Sequence, residues 1–166
     1  AAILNRDNPY FERLRRHAWQ HKAKVVSFGE TQGADARSLS VELGPESSEV
    51  KADILGETVS YRIGAPGIHF VQNSLAVLAA AKLADADLKA AAKALAGWHA
   101  QTGRGERIVI GGKGGRVAII DERYNANPAS MRAALATLGL TPRDEYRRRV
   151  AVLGDMLELG GLGALL

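Results

Sequence analysis

The stretch VAIIDERYNANPASMRAALATLG, Val117 to Gly139, constrains this chain more than any other. Val117 to Ile120 is an apolar, β-branched run that reads as a strand, and it stops abruptly at Asp121 and Glu122. Asn127-Pro128 then opens a helix. The Asn side chain can accept an orphan backbone N–H, the fixed φ of Pro suits the first turn, and Gly139 ends the element. Met131, Ala134, Leu135 and Leu138 fall on one face of that helix. A further apolar run, RVAVLGDM from Arg149 to Met156, reads as a returning strand, so Arg116 to Asp155 forms a βαβ unit with a right-handed crossover expected. In open α/β sheets, ligands bind at the carboxyl ends of the strands, and an acid there commonly takes the hydroxyls of a ribose. Asp121 and Glu122 stand at such an end, with Tyr124 and Asn125 just beyond.

The rest of the chain extends the α/β pattern. AAIL (Ala1 to Leu4) and KVVSFG (Lys24 to Gly29) read as strands, and between them Phe11, Leu14 and Ala18 recur at helical spacing in a helix expected over Asn8 to Trp19. From Ser38 to Ile63 apolar and polar residues alternate between Gly44, Gly56 and Gly64, the pattern of an antiparallel meander. An Ala-rich helix starts near His69, and a second, Leu88 to Trp98, follows an Asp-Ala-Asp sequence that can cap it. Ile108–Ile110 and Arg116–Ile120 flank a Gly-rich hairpin, with a domain boundary expected near Gly103 to Arg107.

Within that hairpin, GGKGG invites comparison with a phosphate loop. The loop requires G-x-x-x-x-G-K-[ST] followed by a helix, whereas Lys113 is followed by Gly114 and a strand, so it reads as a plain turn. Of 166 residues, 46% are hydrophobic and 24% charged, which is globular composition. The net charge of +4 is a mild bias, with clusters at Arg13, Arg15, Arg16 and at Arg147 to Arg149 that read as solvated faces, so no nucleic-acid partner is expected. The chain contains no cysteine, which excludes disulfides and thiolate metal sites. No apolar run reaches the roughly 18 residues of a membrane span, and a cytoplasmic location without membrane insertion is the expectation.

Four segments together resemble the Mur ligases of peptidoglycan synthesis. GIHFVQNSLAVLAA is similar to the family's G-x-H-x-x-x-N-x-L-A-x-x-A segment, TGRGER to its G-R-x-E segment, and YNANPASM and VLGDMLELG follow in family order. Tyr124 to Met131 is similar to the branch that adds D-alanyl-D-alanine. The resemblance implies the later part of a central ATPase domain over residues 1–104, then the first βαβ part of a Rossmann-like C-terminal domain over residues 105–166. It implies ATP and Mg2+ as cofactors, with the metal ligands outside this chain, and UDP-N-acetylmuramoyl-tripeptide and D-alanyl-D-alanine as substrates joined through an acyl phosphate.

Carried over by position, His69 and Asn73 contact adenine, and Arg104 reaches the ATP phosphates as the catalytic arginine. Asp121 and Glu122 hold the ribose, with Glu122 preferred, and Tyr124 completes the ATP-binding set. Asn125, Asn127 and Asp155 lie toward the dipeptide, although Asn127 can equally be a helix cap, and Asp155 can equally cap a following helix. The roles of Gly154, Met156 and Glu158 are left open. Arg123 stands where the family usually has a small residue. The UDP-binding domain and the phosphate loop have no counterpart here, so the expectation is a piece of such a ligase that is inactive alone. The alternative is a non-catalytic nucleotide-binding or interaction module derived from one.

Overall fold

The computed structural model describes residues 1–112 and 115–157. They divide into two compact units, one from Ala1 to Trp98 and one beginning at His99.

The first unit is a mixed five-stranded sheet in the order β1-β2-β3-β4-β5. β1 (Ala2–Asn5) and β2 (Val25–Gly29) are parallel, with Ala2 opposite Val25 and Asn5 opposite Phe28. The link between them is α1 (Phe11–Gln20). β3 (Ala36–Leu43) continues the parallel ladder, and β4 (Ser48–Ile54) and β5 (Glu57–Ile63) turn back as the expected antiparallel meander. Strict alternation creates its two faces. Val50, Ala52, Ile54, Val59, Tyr61 and Ile63 are buried, while Glu49, Lys51, Ser60 and Arg62 face solvent.

Helix α2 (Ile68–Leu83) covers the buried face with Val71, Leu75, Leu78 and Ala79, all fully enclosed. The buried hydroxyls of Tyr61 and Ser74 between sheet and helix are matched. The Ser74 hydroxyl donates to the Val71 carbonyl, so its single proton is used and the Tyr61 hydroxyl donates to Ser74 Oγ at 2.7 Å. Burial pushes the Tyr61 phenol up to about 12, against the opposing effect of that bond. α3 (Leu88–Ala94) begins where the Asp87 carboxylate accepts the Lys89 and Ala90 N–H groups, and a 3-10 turn ends it at Gly97.

The carboxyl ends of β1 and β2 are clamped together. Asp7 accepts the N–H groups of Glu30 and Thr31 and the Thr31 hydroxyl, and a Cβ on Gly29, whose φ is +148°, would collide with that carboxylate. Glycine is therefore required there. Burial raises the Asp7 pKa, but these bonds together with the nearby Arg6 charge hold the carboxyl below its ordinary range.

One detail of this unit departs from the pattern read above. α1 starts at Phe11, because Asn8 spends its side chain on a turn to the Tyr10 N–H, and Leu14 is 45% exposed, so Phe11 alone anchors the helix by burial.

In the second unit, β6 (Glu106–Gly112) and β7 (Gly115–Asp121) form the expected antiparallel hairpin, with Glu106 opposite Asp121 and Gly112 opposite Gly115. Lys113 and Gly114, and with them the turn reading of GGKGG, lie outside the described residues. α4 (Pro128–Gly139) is capped as its sequence dictates: Asn127 Oδ1 accepts the Ala129 and Ser130 N–H groups, and Ser130 Oγ accepts the Asn127 N–H in return.

The returning strand is not formed, and this corrects the βαβ reading of Arg116 to Asp155. Residues 149–157 lie in neither helix nor strand, and Val152 is 94% exposed. A parallel strand needs cover on both faces. Here α4, with Leu135 itself 44% exposed, is the sole helix of the unit among the described residues. No helix among the described residues is long and apolar enough to cross a membrane.

Candidate functional site

The residues singled out above fall into two groups, one in each unit. In the first unit, Gly67 opens α2 with a φ of +117°, a conformation that suits glycine, and sets His69 and Asn73 one turn apart on one face of the helix. The His69 ring lies 3.9 Å from Phe70, which lies 4.9 Å from Trp98, centroid to centroid. His69 Nδ1 is buried and has no hydrogen-bond partner among the described residues. Burial holds the imidazole below its ordinary pKa, so at neutral pH it is uncharged and offers one donor and one acceptor. Asn73 is exposed, and among the described residues its carboxamide has no partner. The neutral imidazole and the solvent-facing Asn73 carboxamide, one turn apart and bordered by Phe70 and Trp98, carry donors and acceptors of the kind a flat heterocycle presents at its edge.

In the second unit, the turn Gly103-Arg104-Gly105 is tied to the end of β7. The Tyr124 N–H donates to the Gly103 carbonyl at 3.0 Å, and the Gly105 N–H to the Asp121 carbonyl at 2.8 Å. Arg104 thereby sits with its guanidinium 4.0 Å above the Tyr124 ring.

The two acids beside it differ. Asp121 accepts the Arg123 N–H at 3.2 Å and pairs with the Arg123 guanidinium at 3.5 Å. Glu122 accepts no hydrogen bond among the described residues. Burial, and then repulsion from Asp121, raise its pKa above the ordinary carboxylate range. A carboxylate held in that state is stabilised by any ligand that donates hydroxyls to it.

Asp121, Glu122, Tyr124, Asn125 and Asp155 all line one broad cleft, together with the apolar face of α4. Asn125 turns its oxygen to the Ala126 N–H, and Asn127 commits its oxygen to the α4 cap, leaving amide donors as what each can offer. Asp155 is exposed on the irregular segment, and no helix for it to cap follows within the described residues. Glu158 lies outside them. Among the described residues, no three His, Asp or Glu side chains converge on a common point.

The pairing of Arg123 with Asp121 and the tie between Gly103 and Tyr124 were not anticipated from sequence. The unusual Arg between Glu122 and Tyr124 was a signal for the first; two glycines flanking Arg104 were a signal for the second.

Comparison with known proteins decides the family. Residues 1–81 match the Mur ligase middle domain. A UDP-N-acetylmuramoyl-tripeptide–D-alanyl-D-alanine ligase of Synechocystis is 33% identical over 162 residues, covering 98% of this chain and 32% of the relative. The chain belongs to the Mur ligase family. A UDP-N-acetylmuramate–L-alanine ligase of Streptomyces coelicolor is also similar to this Mur ligase chain, 32% identical over 117 residues, covering 70% of the chain and 24% of the relative. The structure of MurF from Acinetobacter baumannii superposes with a TM-score of 0.74 at 30% identity, over 85% of this chain and 29% of that one. The mixed α/β fold of this Mur ligase chain is thus that of solved family members. The chain spans about a third of the length of the curated relatives it matches.

Proposed function

We propose that this chain carries nucleotide-binding elements of a Mur ligase that joins D-alanyl-D-alanine to UDP-N-acetylmuramoyl-tripeptide. Residues 1–104 would belong to its central ATPase domain and residues 105–166 to the start of its C-terminal domain. The observation that carries the reading is the cluster at the end of β7, where Glu122 is left without a partner while Arg123 occupies Asp121, and Arg104 has no carboxylate partner among the described residues. Support for the D-alanyl-D-alanine branch comes from the stretch Tyr124 to Met131.

In that reaction the tripeptide carboxylate takes the γ-phosphoryl group of ATP, releasing ADP, and the dipeptide amine displaces phosphate from the acyl phosphate to leave the amide. His69 and Asn73 would receive the adenine edge, and Glu122 the ribose hydroxyls. Arg104 would place its planar donors on the phosphate oxygens, where a guanidinium offsets charge in the transferring group. Asn125 and Asn127 would turn their amide donors, and Asp155 its carboxylate, toward the dipeptide. Magnesium supplies charge neutralisation of the phosphates when bound.

Calorimetric titration with ATP tests the assignment. Wild type is expected to bind in a pH-dependent manner, weakening as acidification protonates Glu122. Glu122→Gln should weaken binding about fivefold or more and remove most of that dependence, and Asn73→Ala should weaken binding without altering it. Indistinguishable titrations of all three proteins would overturn the residue roles.

A further inference from the structure

We infer that Tyr124 is a positioning residue whose ring holds Arg104 in place, and that the aromatic face rather than the hydroxyl is what the site uses. The inference deepens the assignment of Arg104 to a polyphosphate and rests on that reading for its purpose, but its geometry stands independently.

Two backbone hydrogen bonds, from Tyr124 to Gly103 and from Gly105 to Asp121, fix the two chain segments on either side of Arg104. A third, from the Arg104 N–H to the Gln101 carbonyl at 2.9 Å, closes the turn. The approach is so close that a Cβ on Gly103 would stand 3.2 Å from Tyr124 Cβ and 3.4 Å from its nitrogen, at a φ of +77°. Gly103 is therefore part of the device.

Within this frame the guanidinium carbon lies 4.0 Å from the Tyr124 ring centroid. A face-on contact of this kind leaves the N–H donors at the guanidinium edge unused. Among the described residues none of those donors meets an acceptor, and nearby Asp121 is paired with Arg123 instead. The Tyr124 hydroxyl likewise has no partner among the described residues, and the side chain is 67% exposed. An exposed tyrosine with an idle hydroxyl and an occupied face acts as a platform. Its benefit is entropic: an arginine already confined to one orientation loses less freedom when an oxyanion binds its edge.

Two measurements on the whole chain decide this. In the NMR spectrum, the Arg104 Nε proton should be displaced upfield by the ring current in wild type and in Tyr124→Phe, and should relax toward an ordinary position in Tyr124→Leu and in Gly103→Ala. An undisplaced Arg104 proton in wild type overturns the proposal whatever the nucleotide data show. In ATP titrations, Tyr124→Phe should stay within about twofold of wild type. Tyr124→Leu and Arg104→Ala should each weaken binding about fivefold or more, and the double variant should be no weaker than Arg104→Ala alone. Additive losses would mean that Tyr124 touches the nucleotide itself, and would also overturn it. If wild type shows the ring-current displacement but binds no ATP, the nucleotide assignment falls while the platform stands. Preserved α4 resonances in each variant exclude unfolding as the cause of any change.

Discussion

His69 sits in the first turn of α2 with Nδ1 enclosed and without a partner among the described residues, and its burial contributes to how the first unit responds to acid. Burial places its folded-state pKa below the unfolded value of 6.5, so between those two values the unfolded chain binds more protons than the folded one. Stability contributed by neutral His69 is therefore full above pH 6.5 and declines as the pH falls from there toward the folded pKa. Asp7 and Asp35 act in a separate window. Their burial is outweighed by hydrogen bonds, from Thr31 and Glu30 to Asp7 and from Ser27 to Asp35, so their contribution is present above 3.8 and is lost as the pH falls through their depressed values. Thermal unfolding as a function of pH should show both losses, and His69→Gln should flatten the upper one while leaving the lower intact. An unchanged upper slope would refute the burial argument. The chemical types at this site were legible in the sequence: His69 and Asn73 are one helical turn apart, and two acids end a strand. The division of labour between Asp121 and Glu122 was not, because it depends on Arg123 folding back on Asp121 through its own N–H and guanidinium.

At the level of elements, α4 shows how a local signal fixes an end. Asn127 and Ser130 satisfy one another's backbone groups, so Asn127→Ala should destabilise the second unit by about 1 kcal/mol, whereas Asn127→Asp should retain most of the cap. Chemical denaturation followed by the helical signal distinguishes the two, and equal loss in both variants would count against capping. Asp87 at α3 and Asn127 at α4 could both be read in advance because a cap involves residues two or three positions apart. The meander was readable for a similar reason, since alternation is local. The strand expected at Arg149 to Met156 is the counterexample: its composition is right, but strand formation depends on partners distant in sequence, and Val150 at 70% and Val152 at 94% exposure have none covering them. The stack of Arg104 on Tyr124 was hidden likewise, being made by a backbone tie across the β6–β7 hairpin.

For the molecule as a whole, burial is unevenly divided. The fully enclosed large side chains Ile54, Ile63, Leu75, Leu78, Val26 and Val71 all belong to the first unit. Brief trypsin treatment should therefore cleave first near Arg147 to Arg149 and leave a resistant core ending near Trp98. Early cuts after Lys51 or Arg62 would contradict this ordering of stability. The hairpin of the second unit carries a different consequence. Ile108, Val109, Ile110, Val117 and Ile119 are each at least 42% exposed on a two-stranded ribbon, and each strand has one unpaired edge among the described residues. Two copies of such a ribbon can extend one another's hydrogen-bond ladder and share their greasy faces. A net charge of +4 on 166 residues opposes this only weakly. Self-association through β6 and β7 is therefore the expected consequence of raising the concentration of the chain, and light scattering that falls when Ile110 and Val117 are replaced by Lys would register it.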